Sequence, residues 1–134
     1  MARAPPSTSA ADRDMLNAVC RYGGFTHRRR VLLLKPDLLF VLDDIEGPPG
    51  EHEWEQFWHL GQTPEKLAPE CFAVGAGARI AVAAAAHIEC SAGGEHGWRS
   101  LAMGHKMPAP VIRVHGRGAL PARAAMLLEA GDRA

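Results

Sequence analysis

The chain has 134 residues, enough for one domain with a real core. Its 15 basic and 15 acidic residues cancel, so no global field draws it to nucleic acid or to an anionic membrane surface. Cys20, Cys71 and Cys90 lack CxxC spacing and indicate neither a disulfide framework nor a zinc knuckle. No stretch approaches the roughly 20 apolar residues of a membrane span, and no cofactor is indicated.

Residues 1 to 14 are small, polar and proline-containing, and read as a disordered lead-in without the apolar h-region of a secretory signal. Taken literally, the chain is soluble and stays where it is made. "MLNAVCRYGG" is too short and mixed to assign, so the lead-in is set at 1–20 and the folded region at 21–134. From Thr26 onward, short apolar runs alternate with Pro and Gly, as in an all-β protein. "RRRVLLL" and "LLFVLDDI" are strand-length runs joined by the turn chemistry of Lys35-Pro36-Asp37. "EGPPGE" is a second turn, "HEWEQFWHL" a strand, and "GQTPEKLAPE" a longer loop.

"CFAVGAGARIAVAAAAHIEC" turns at Gly75 and Gly77. Its alanines permit a helix, but Ile80 and Val82 alternate with smaller residues and no cap precedes them, which favours strand. "SAGGEHG" is loop, and "PVIRVHG" a strand with Val111, Arg113 and His115 on one face and Ile112 and Val114 on the other. "ALPARAAMLLEAG" closes the chain as a strand or short helix. The sum is an antiparallel β-sandwich, or part of one, with about six or seven strands.

The charged end of the first hairpin is the best candidate site. A three-residue turn at Lys35–Asp37 pairs Leu34 with Leu38 and Arg29 with Asp43, and brings His27 diagonally to Asp43 on the same face. A two-residue turn would separate them. His27, Asp43 and His59 are reasonable zinc ligands by type. If the next strand folds straight back from Pro48-Pro49, however, His59 lies several residues from Asp43, and the structural reading is preferred. Arg28 and Arg30 face away from Arg29; they suit a sugar carboxylate or sulfate, or pairing with Asp43, Asp44 and Glu46, which is preferred. Trp54 and Trp58 share a face with Leu60, fit for sugar stacking but more in keeping with a sandwich core. Arg28, Arg30, Trp54 and Trp58 are therefore the substrate-binding candidates, and no residue is assigned to catalysis or metal. The remaining histidines show no HxH or HExxH spacing, and neither GxSxG, P-loop nor GxGxxG occurs.

Residues 21 to 128 resemble the C-terminal β-sheet domain of the heparinase II/III family of polysaccharide lyases. The resemblance rests on His27-Arg28-Arg29, the strand ending in Asp43, Gly47, His52, His59, Gly97-Trp98, Ser100, Gly104, Pro108 to Val111 and Leu120-Pro121, in that order. It implies β-elimination on uronate-containing polysaccharides, by a Tyr or His base and a group that neutralises the uronate carboxylate. It also implies an α-toroid followed by a large β-sandwich, and a protein that is exported. The family's base and neutralising groups lie largely on the toroid, and its His-x-His-x-Asp, Asp-Pro-Gly and His-Asn motifs are missing from this sequence. The expected portion is thus the distal β domain, inactive unless joined to the missing part, with acidic polysaccharide as partner of the full-length enzyme. The open sheet edges of such a portion would favour self-association. A stand-alone acidic-glycan-binding β module and a small metal-dependent β enzyme are the alternatives.

Overall fold

The computed structural model describes residues 7–131, and the strands follow from turn chemistry. Lys35-Pro36-Asp37 reverses the chain between β3 (Phe25–Leu34) and β4 (Leu38–Glu46), with Leu34 opposite Leu38 and Arg29 opposite Asp43, the register of a three-residue turn. Gly23 and Gly24, both at positive φ, form a two-residue turn that pairs β2 (Arg13–Tyr22) with β3. A short β1 (Ser7–Ser9) then pairs with β2. Within the expected lead-in, Ser7–Ser9 and the part of β2 from Arg13 to Cys20 are strand, joined by a turn at residues 10–12; residues 1–6 lie outside the described residues. Most of β2 is exposed, so burial imprinted no alternation on it.

After Pro48-Pro49-Gly50, β5 (Glu51–His59) does not fold back on β4 but crosses to a second layer. The expected loop contributes β6 (Glu65–Ala68), followed by β7 (Cys71–Val74) and β8 (Ala78–Ala84) around Gly75 and Gly77. β9 (His87–Ala92) returns to the second layer. The hairpin β10 (Trp98–Ala102) and β11 (His105–Pro108) stands apart from both layers, and β12 (Pro110–Ala119) and β13 (Ala122–Ala130) close the chain. The described residues thus form thirteen strands, where about six or seven were expected. The difference lies in β1, β2 and several strands too short to show a period.

The large sheet has eight strands in the order β1-β2-β3-β4-β13-β8-β7-β6, and the small one three, β5-β12-β9. All pairings within them are antiparallel. Val41, Phe72, Ile80, Val82 and Met126 of the large sheet pack against Ile112 and Val114 of the small one, with Leu60 in the same cluster. Alternation places these residues on the facing sides of two layers, which is a β-sandwich. Gly116 stands opposite Trp54, where a Cβ would come within 2.6 Å of the indole. The missing side chain is what lets Trp54 lie against β12.

Candidate functional site

The hairpin brings His27, Arg29 and Asp43 to the inner face of the large sheet, and β5 brings Gln56 down from the small one. Asp43 is only 5% exposed. Its Oδ1 accepts from His27 Nε2 at 3.0 Å and Arg29 Nε at 2.7 Å; its Oδ2 accepts from Arg29 Nη2 at 2.8 Å and Gln56 Nε2 at 2.7 Å. Those four bonds match the four lone-pair sites of a carboxylate. Trp58 Nε1 donates to Gln56 Oε1 at 2.9 Å, and the Arg29 guanidinium carbon lies 5.3 Å from the centre of the Trp58 ring. One carboxylate therefore ties β3, β4 and β5 together across the two layers.

Burial pushes the Asp43 carboxyl up, but the hydrogen bonds from Arg29, Gln56 and His27, with the Arg29 charge, outweigh it. The group is held below its ordinary 3.8. Arg29 is correspondingly held in its charged form by Asp43. A carboxyl whose folded pKa lies below its unfolded one contributes stability that is complete above the unfolded value. That stability is lost as pH falls through the folded value. Asp44, hydrogen-bonded by Arg123 and Arg30, and Glu89, hydrogen-bonded by Arg113, are displaced in the same direction. Melting temperature is therefore expected to be level from pH 7 to about 5 and to fall steeply below about 4, with a shallower acid limb in Asp43→Asn. An identical limb in that variant would show that Asp43 carries none of it.

A cleft of 750 Å³ opens beside the cluster, lined by Tyr22, Phe25, His27, Arg29, Trp54 and His96 among others. Asp43 has no lone pair left for a substrate proton or a metal. With Nε2 donating to Asp43, His27 keeps only Nδ1 for other use. His59 is exposed on the face of β5 opposite to Gln56, so the different strand order does not bring it to Asp43. Among the described residues no three His, Cys, Asp or Glu side chains converge as a metal site would require. Nor is any helix there long and apolar enough to cross a membrane.

The four binding candidates divide between two surfaces. Trp54 and Trp58 are half-buried against the core, on the inner side of the small sheet. Arg28 and Arg30 are exposed on the outer side of the large sheet, lining a groove of 250 Å³ with Asp44, Glu46 and Arg123. Arg30 and Arg123 both bond Asp44, at 2.8 and 2.6 Å. No single ligand surface holds all four. Gln56 was the residue that sequence reasoning missed. Its signal was a polar side chain between Trp54 and Trp58 on the buried face of one strand.

Solved structures share this architecture. A heparinase III gene product superposes with a TM-score of 0.78 at 11% identity, covering 92% of this chain and 20% of that one. A second heparinase III structure gives 0.73 at 13%, covering 94% and 21%. The heparan sulfate lyase HepC from Pedobacter heparinus gives 0.69 at 15%, covering 96% and 22%.

The fold is one that heparinase III contains.

The chain spans about one fifth of the length of these lyases. No protein-family model matches the sequence, and no curated protein matches it. At such low identity the heparinase III likeness speaks for architecture and leaves the chemistry to be argued.

Proposed function

We propose that this chain is the distal β-sandwich portion of a heparinase II/III-like polysaccharide lyase, whose substrate is an acidic, uronate-containing polysaccharide of the glycosaminoglycan kind. The observation that carries the reading is the likeness of more than nine-tenths of the chain to one fifth of several such lyases. The portion is not catalytic alone. β-Elimination needs a base beside the uronate C5 proton and a group neutralising the carboxylate. Here the buried carboxylate is saturated, and Arg29 and Arg123, the arginines that line the cleft, are already bonded to Asp43 and Asp44. Glycan contact falls to Arg28 and, through the guanidinium donors beyond its bond to Asp44, to Arg30 in their outer groove, because Trp54 and Trp58 are engaged in packing.

The chain incubated with heparan sulfate is expected to give no unsaturated product, followed by the ultraviolet absorbance of the new C=C bond. A catalytic portion supplied on the same polypeptide is expected to give it. Product from the 134-residue chain, abolished by His27→Ala, would overturn the non-catalytic reading and make His27 a base.

A further inference from the structure

The two layers are unequal, and the excess lies on one side. Gln56 bonds Asp43 on β4, and Trp58 lies by Arg29 on β3, so β5 sits over β3 and β4. β12 covers the centre, where Ile112 and Val114 meet Val41, Val82 and Met126. Beyond β5, the large sheet continues as β2 and β1 with no described strand above them. Register puts Leu16 opposite Val31, Cys20 opposite His27 and Tyr22 opposite Phe25, so these β2 side chains point the same way as the core. Under the small sheet Val41 and Val82 are 4% and 3% exposed, whereas Leu16 and Tyr22 are 48% and 66% exposed.

Alongside this overhang runs an unpaired backbone edge. Among the described strands β5 pairs only with β12, which leaves its other side open from Glu51 to His59. Whatever covers Leu16 and Tyr22 also meets that edge, and the chemistry that satisfies both at once is a β-strand. Such a strand bonds the free N–H and C=O groups of β5 and directs alternate side chains onto β2. Strands are spaced about 4.8 Å apart, so two added strands reach across the overhang.

A second copy of this chain fits badly. Joined edge to edge with both large sheets on the same side, the two β1–β2 overhangs claim one space. Joined with one copy inverted, the second copy presents Glu51, Glu53, Glu55 and Arg113 to Leu16 and Tyr22. Those four belong to the outer face of the small sheet, where Arg113 bonds Glu55 at 3.0 Å. In the first arrangement the overhangs collide, and in the second the apolar overhang meets a face on which Phe57 stands among charges.

We infer that the β5 edge and the Leu16–Tyr22 overhang are the seat of β-strands from elsewhere on the same lyase polypeptide, with apolar residues at alternate positions. The inference rests on the lyase reading proposed above and names the surface that the rest of the enzyme occupies. Cys20, exposed on the overhang, is a built-in reporter.

The test compares the polypeptide immunopurified from source cells with the 134-residue chain, following alkylation of Cys20 by N-ethylmaleimide and amide exchange across 51–59. In a longer native polypeptide, Cys20 is expected to react about tenfold more slowly or less, and the β5 amides to exchange more slowly, since both then need local opening. A longer polypeptide with Cys20 and β5 as reactive as in the short chain overturns this inference alone. A native product of 134 residues overturns the lyase-portion reading and the inference with it. Cys20 protection in the short chain that grows with its concentration names a second copy as occupant, and also overturns it.

Discussion

Asp43→Ala is expected to lower the unfolding free energy by about 2 to 4 kcal/mol at neutral pH. Its partners contribute unequally. Gln56 is 6% exposed, so its amide would lose a partner where water barely reaches; such an orphan costs roughly 1–3 kcal/mol. The Arg29 side chain is 40% exposed and that of His27 36%, so both recover much of their hydration, and their shares are small. Asp43→Asn keeps the shape but aims an N–H₂ group at a site where every neighbour donates, so it is expected to lose nearly as much. Asp44→Ala is the control: its partners Arg30 and Arg123 are solvated, and the loss should be much smaller. Urea midpoints at constant m-value measure all three. Equal losses for Asp43→Ala and Asp44→Ala would mean that the buried cluster does not join the layers.

A larger loss, about 3 to 5 kcal/mol, is expected for Ile112→Ala. Ile112 is 0% exposed in the middle strand of the small sheet and lies opposite both Trp58 and Cys90. Removing three carbons forfeits about 0.8 kcal/mol each in transfer free energy, and the rigid neighbours leave a cavity that adds to it. Leu127→Ala removes as many carbons from the outer face, where the side chain is 36% exposed, and should be milder. On these expectations, packing between the layers contributes at least as much as the polar clip. Should Ile112→Ala melt no lower than Leu127→Ala in calorimetry, the small sheet would not be packed as described.

Parts of this were legible because they are local. Lys35-Pro36-Asp37 spans three residues, and that count alone set the parity of every pair in the hairpin, including His27 and Arg29 with Asp43. Ile80 and Val82 showed strand alternation through an alanine-rich run because one face of β8 is buried. β2 was missed because its side chains are exposed on both faces, yet Gly23-Gly24 was a readable hairpin turn. The separation of Arg28 and Arg30 from Arg29 was also readable, since side chains alternate along any strand.

The sequence by itself determined the β class, and it offered the β3–β4 register that pairs Arg29 with Asp43 as one of two, separated by the length of the turn. These depend on backbone geometry over fewer than twenty residues. Only the tertiary structure decided that β5 leaves the sheet after Pro48-Pro49, that Gln56 completes the Asp43 cluster, and that β13 lies between β4 and β8. Arg123 reaches Asp44 across 79 residues of chain, and no local pattern encodes such a meeting. It follows from burying the apolar faces of two sheets at once, a condition on the whole chain.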